Sequence, residues 1–294
     1  MTQDRQERPL LRIEDVSVRF GGIVALDGVS FDVQPGQVCG LIGPNGAGKS
    51  TLFNCLSRLY RCDTGRIEFD GRPLATLPRH RMAGIGIGRT FQNLALFRTM
   101  SVRDNVLVGT HAHHHAGVLR NALRLPGVAG AERAAGERAD ALIELLALQP
   151  VAQRPVGDLP FGTQKRVELA RALAAEPKLL LLDEPACGLN HEELDGLGRL
   201  ILDIRQRLRL TVLLVEHHMG LVMGISDKVV ALNFGRKIAE GTPAQVRRHP
   251  DVIRAYLGDD DADAAADAGA AGAGAAAGAG AAAAVGAPPP GRAA

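Results

Sequence analysis

The segment "GPNGAGKST", residues 43 to 51, constrains this chain more than any other stretch. It fits G-x-x-x-x-G-K-[ST], follows the apolar run "VCGLIG" (38–43) and runs into "STLFNCLSRL". A buried strand, a glycine-rich turn and a helix are therefore expected in succession. Gly43, Gly46 and Gly48, with Pro44, Asn45 and Ala47 between them, let the backbone curl so that successive N–H groups face an anion. Lys49 is expected to reach the β- and γ-phosphates of a nucleotide. Ser50, with Thr51 beside it, is expected to supply an oxygen to Mg²⁺. The competing reading is a chance glycine-rich turn, and the complete motif in this context outweighs it.

A second element supports the first. "LLLLDEP" (179–185) reads as a buried strand that delivers two adjacent carboxylates at its C-terminal end, where open α/β sheets bind ligands. Asp183 suits the Mg²⁺ shell, and Glu184 suits a general base that polarises a water for in-line attack. Alone, such a strand would more simply end in a solvated acidic turn. With the phosphate loop present, that reading loses. "TVLLVE" (211–216) is a third short apolar run. Together with 38–43 and 179–183 it predicts buried parallel strands at the centre of an α/β sheet.

Residues 11 to 40 alternate and carry turn signals, which predicts antiparallel strands. The stretch from about 93 to 159 is rich in Ala, Leu, Arg and His, and "AERAAGERADALIELLAL" (131–148) has helical spacing. It reads as a helical subdomain inserted in the α/β core. "KVVALNFGRKIAEG" (228–241) reads as a hairpin turning at "NFGRK". From residue 259 on, five aspartates, an Ala/Gly run and "APPPGRAA" follow, which predicts a disordered tail over 259–294. The ordered domain is thus expected over 1–258.

Bulk composition narrows the function classes. With 34 Lys plus Arg against 32 Asp plus Glu, the concentrated basic excess of a nucleic-acid binder is missing, so no such partner is expected. Cys39, Cys55, Cys62 and Cys187 form no C-x-x-C pair, which suggests buried thiols in a reducing compartment. The polar N-terminus lacks the apolar core of a signal peptide. No stretch approaches the ~18 uninterrupted apolar residues of a membrane span. A cytoplasmic chain is expected, with any membrane role coming through a partner. The histidines His111, His113, His114 and His115 suggest a metal only weakly, because no Cys or well-spaced carboxylate accompanies them.

From about residue 11 to 258 the chain resembles the ABC-transporter ATPases. "LPFGTQKRVELARAL" (159–173) lies just before the Asp183–Glu184 strand, where that family has its signature motif. "RTFQNLALF" (89–97), "PACGLN" (185–190) and "VEHHM" (215–219) resemble its Q-loop, D-loop and switch-histidine loop. The resemblance implies a P-loop NTPase (RecA-like) core with an N-terminal antiparallel β subdomain and an inserted helical subdomain. It implies that Gln92 senses Mg²⁺, that His217 joins Glu184 in hydrolysis, and that Phe20 stacks on adenine. It further implies two subunits, identical or not, that face head to tail around two ATP molecules. Transmembrane permease subunits and, through them, a substrate-binding protein would be the partners. The chain would then lie on the cytoplasmic face of the membrane.

The signature departs from Leu-Ser-Gly-Gly-Gln. Pro160, Phe161, Gly162 and Thr163 follow Leu159 here, and Asn190 replaces the usual D-loop aspartate. Pro160 is expected in the first helical turn and Thr163 as a cap. Gly162, Thr163 and Gln164 are then the candidate donors to a γ-phosphate held across a dimer interface. Several segments, among them "RTFQNLALFRTMSVRDNVLVG" and "HPDVIRAYLG", look most like branched-chain amino acid importer ATPases. Importers of amides, urea or other amino acids are alternatives. A soluble ABC protein of translation or DNA repair usually carries two cassettes or a coiled-coil insertion. A P-loop kinase would leave the order of the other loops unexplained.

Overall fold

The computed structural model describes residues 8–90, 94–111 and 128–256. The expected tail at 259–294, Gln92, and His113 to His115 lie outside these residues. Two sheets organise the chain. Strands β1 (Leu11–Phe20), β2 (Ile23–Val33), β4 (Thr64–Phe69) and β5 (Arg72–Pro73) form an antiparallel sheet in the order β2-β1-β4-β5. Strands β3 (Val38–Ile42), β6 (Ile87–Arg89), β7 (Leu179–Asp183), β8 (Thr211–Val215), β9 (Lys228–Asn233) and β10 (Arg236–Gly241) form the other, in the order β10-β9-β3-β8-β7-β6. All neighbours in this second sheet are parallel except β9 and β10.

The three apolar runs are the inner parallel strands, and alternation explains why each reads as continuously apolar. Leu180, Leu182, Val212 and Leu214 pack toward the helical side. Leu179, Leu181, Leu213 and Val215 pack toward helix α1 (Lys49–Leu56) and the antiparallel sheet. Successive side chains point to opposite faces, and both faces are buried, so the run stays apolar between the strand ends. Asp183, with Val215 as its register partner, is where the run ends.

The hairpin turns at Phe234 and Gly235, both at positive φ, as a two-residue hairpin requires. It also ties the two sheets together. Gly235 accepts from the Asp27 N–H on β2 at 2.9 Å and donates to Ala47 in the glycine-rich loop at 3.1 Å. Lys228 adds an ionic tie, with Nζ 2.6 Å from Asp32 on β2 and 2.5 Å from Glu240 on β10.

Helices α2 (Val102–Thr110) and α3 (Val128–Leu145) lie in the stretch read as helical, and α4 (Phe161–Leu173) packs against α2. The approach is close: a Cβ on Gly109 would fall 2.1 Å from the Arg171 carbonyl oxygen. Helices α5 (His191–Leu208), α6 (Met219–Ile225) and α7 (Pro243–Arg247) follow.

Candidate functional site

The glycine-rich loop leaves β3 at its C-terminal end and feeds α1. A Cβ at Gly43 would meet the Leu232 carbonyl oxygen at 2.3 Å, and one at Gly48 would meet the Ala25 carbonyl oxygen at 2.6 Å. Both residues also take positive φ, so a side chain is excluded twice over at each. Gly48 is the N-cap of α1 and provides no side-chain cap, which leaves the first N–H groups of the helix for an anion. Lys49 is 5% exposed, and its Nζ donates to Gly43 at 2.6 Å and Pro44 at 2.9 Å. The ammonium therefore sits inside the loop. Asn45, Gly46 and Ser50 are exposed around it, and Thr51 is half-buried.

Asp183 closes β7 and is 5% exposed. Arg89, at the end of neighbouring β6, donates to its Oδ2 at 2.8 Å. The same guanidinium donates to the Asn54 amide oxygen at 3.0 Å and the Ser57 hydroxyl at 2.9 Å at the far end of α1. One arginine thus braces the acidic strand against the helix of the phosphate loop. Thr90 Oγ1 accepts from the Asp183 N–H at 3.4 Å. Ser50 and Asp183 offer hard oxygen donors from α1 and the end of β7, the donor type that Mg²⁺ prefers.

Glu184 has φ +48, a left-handed conformation that costs an ordinary residue about 1 kcal/mol or more. It is held there by its N–H bond to the Val215 carbonyl at 2.9 Å. The turn carries its carboxylate to His217, whose Nε2 lies 2.9 Å from Glu184 Oε1. Glu184 is expected from its place at the end of a buried strand and His217 from the family resemblance, and the fold brings them into contact from two different strands.

The loop after Glu184 is compact. Asn190 caps α5 in a reciprocal capping box with Glu193, both bonds 2.9 Å. Asparagine caps as well as aspartate, so this departure keeps the helix start. Gly188 faces the Phe161 ring, and Gly162 faces Glu193. The D-loop segment therefore rests on the start of α4.

The start of α4 differs from expectation. Pro160 is the N-cap rather than a first-turn residue, and no side chain caps the helix, Thr163 included. Thr163 lies three positions inside, and its N–H donates to the Pro160 carbonyl at 2.9 Å. The Gln164 N–H does the same at 3.0 Å. Gln164 Nε2 turns back to the Leu159 carbonyl at 2.8 Å. Because proline has no N–H but keeps its carbonyl, it can close the first turn as an acceptor. Helix geometry then leaves the Phe161 and Gly162 N–H groups as the ones without an intrahelical acceptor.

Phe20 ends β1 and is 46% exposed. Tyr60 stands edge-on to it, with ring centroids 5.1 Å apart. Gln92 lies outside the described residues; Arg89 and Thr90 just before it are described and face Asp183.

Sequence reasoning singled out neither Arg89, Tyr60 nor Glu216. Glu216 is 1% exposed. Its Oε1 accepts from the Ala186 N–H at 2.6 Å and its Oε2 from the His217 N–H at 3.1 Å. Burial raises its pKa, while the N–H groups of Ala186, His218 and His217 pull the other way. For Glu216 the available signal was a charged residue directly after the apolar run 211–215.

Comparison with known proteins accords with this geometry. The ABC transporter family model matches residues 26–187, and that of the branched-chain amino acid ATP-binding cassette transporters matches 236–262. The chain is 45% identical to the high-affinity branched-chain amino acid transport ATP-binding protein BraF of Pseudomonas aeruginosa. The match spans 252 residues, 86% of this chain and 99% of that one. LivG of Escherichia coli, which carries the same description, is 43% identical over the same shares. A nucleotide-free ATP-binding cassette from an ABC transporter superposes with TM-score 0.74 at 31% identity, over 85% of this chain and 99% of the other. An ATP-binding cassette in its ADP conformation matches with the same TM-score and identity. The chain belongs to the ABC transporter ATP-binding proteins, ATPases with a P-loop core, in the branch that serves branched-chain amino acid transport.

Proposed function

We propose that this chain powers the import of leucine, isoleucine and valine as the ATP-hydrolysing subunit of a membrane transporter. The observation that carries the hydrolytic role is the Glu184–His217 contact at the C-terminal edge of the parallel sheet, the same edge from which the phosphate loop departs. The substrate class rests on the similarity to BraF and LivG. Substrate selection belongs to other subunits, so no residue here reads the amino acid.

The chemistry follows from the named groups. The loop N–H groups and Lys49 bind the β- and γ-phosphates, and Phe20, steadied by Tyr60, takes the adenine face. Ser50, Asp183 and Gln92 would hold Mg²⁺, which when bound neutralises phosphate charge. Glu184 accepts a proton from the attacking water as its oxygen bonds to the γ-phosphorus and the bond to ADP breaks. His217 holds Glu184 and stands ready to donate to the γ-phosphate oxygens. A second cassette, of this chain or a sister chain, supplies its signature helix. There the Phe161 and Gly162 N–H groups and the Thr163 hydroxyl face the γ-phosphate, while the Gln164 amide is turned to the Leu159 carbonyl. Closure around ATP and reopening after hydrolysis move the permease subunits, which place the chain at the cytoplasmic face of the membrane. No helix among the described residues is long and apolar enough to cross a membrane. Residues 1–258 act as the ATP-binding domain.

Glu184→Gln tests the hydrolytic reading. It is expected to bind ATP, accumulate as an ATP-bound dimer and lose turnover by about a hundredfold or more. Near-normal hydrolysis would remove Glu184 from the role.

A further inference from the structure

Three consecutive residues from the last position of β8 onward are each bonded to the segment that follows β7. The Val215 carbonyl accepts from the Glu184 N–H at 2.9 Å. The Glu216 carboxylate accepts from the Ala186 N–H at 2.6 Å. The His217 ring meets the Glu184 carboxylate at 2.9 Å. Glu216 is the middle link, and the only one of the three made by a buried charged side chain. Its other oxygen holds the His217 N–H at 3.1 Å.

A buried carboxylate is costly unless its oxygens are well satisfied. Backbone donors from two separate loops do that here, and charge-assisted bonds of this kind are stronger than neutral ones. We propose that Glu216 is a positioning residue, one carboxylate that locks the Ala186 loop to the His217 backbone and so fixes the distance between His217 and Glu184. Glu216 touches no reacting atom. It sets where the two groups that act on the γ-phosphate stand relative to each other. This inference rests on the catalytic reading of Glu184 and His217 given above.

The shape of the clamp predicts which substitutions break it. In Glu216→Gln only one terminal atom accepts, and the new NH₂ is turned toward the Ala186 or the His217 N–H. Glu216→Asp keeps the charge but is one methylene too short to span both loops.

The test is a double-mutant cycle with His217→Ala, with hydrolysis normalised to bound ATP. In the wild-type background Glu216→Gln is expected to lower kcat by about tenfold to a hundredfold, as small misplacements of reacting groups do, with the ATP dissociation constant unchanged. In the His217→Ala background the same change is expected to cost less than about twofold, because its route of action is gone. Glu216→Asp is expected to fall between Gln and wild type. Multiplicative losses, or a Glu216→Gln enzyme within about twofold of wild-type kcat, would overturn the proposal. If Glu216→Gln and Glu216→Asp both failed to bind ATP, Glu216 would be a folding residue and the proposal would equally fall. If His217→Ala alone left kcat intact, the catalytic reading of His217 would fail first, and that result is distinguishable from all the others.

Discussion

Arg89 reaches Asp183 across the β6–β7 edge with a 2.8 Å bond between side chains only 10% and 6% exposed. The same guanidinium holds Asn54 and Ser57 at the end of α1. The carboxylate proposed for Mg²⁺ and the helix proposed to carry the phosphates are thus braced by one cation. Breaking a buried pair by removing one partner strands the other charge. Arg89→Met is therefore expected to destabilise the fold by about 3–5 kcal/mol in denaturant unfolding, far beyond the loss of a surface ion pair. A loss under about 1 kcal/mol, the range of an exposed pair, would show that the bridge does not brace the site.

The Glu184–His217 contact predicts a separation of binding from turnover. His217→Ala leaves Lys49 and its loop untouched, so ATP affinity is expected to stay near wild type. Hydrolysis is expected to fall by about a hundredfold or more. Equal losses in affinity and turnover would place His217 in binding instead.

Phe20 and Tyr60 form an edge-to-face pair at the end of β1. Phe20→Ala is expected to weaken ATP binding about fivefold or more, an aromatic contact being worth roughly 1 kcal/mol. Phe20→Tyr is expected to retain it. Fluorescent-nucleotide titration checks both, and an unaffected Phe20→Ala would move the adenine platform elsewhere.

Lys228 bonds Asp32 and Glu240 and so joins both sheets. Burial works against its charge, yet the bonds to Asp32 and Glu240 raise its pKa above 10.5. Burial likewise works against Glu240, whose bonds to Lys228 and Lys237 hold it below 4.5. A raised lysine contributes stability that is present below its unfolded pKa and lost as pH rises through its folded one. A lowered carboxylate contributes stability that is present above its unfolded pKa and lost as pH falls. Lys228→Met is therefore expected to cost about 1–3 kcal/mol near neutral pH. Urea unfolding is expected to show that cost shrinking as pH falls below the Glu240 range and again in strong alkali. A pH-independent cost would mean that packing, not charge, holds the junction.

How much of this was legible in the sequence depends on whether a residue's role is set by its neighbours along the chain or across it. The phosphate loop is local. Gly43, Gly48 and Lys49 are dictated by the turn itself, and the inner strands are marked by apolar runs buried on both faces. Strand β6, three residues long, has too little pattern to be seen. The roles of Arg89 and Glu216 exist only once β6 lies beside β7 and β7 beside β8. Thr163 has a capping side chain close to a helix start, which is why the sequence alone points to it as a cap. The helix begins at Phe161, and the Pro160 carbonyl does the closing. The Asn190 replacement shows in the sequence, but its capping box with Glu193 shows only in the structure.

The central claim is that ATP turnover in this chain drives branched-chain amino acid uptake. Radiolabelled leucine uptake tests it most directly, in cells that hold the permease and binding protein and carry either the intact gene, a deletion, or a Glu184→Gln copy. The account predicts uptake only with the intact gene, and binding of leucine outside the membrane in all three. Equal uptake in the three strains would contradict it.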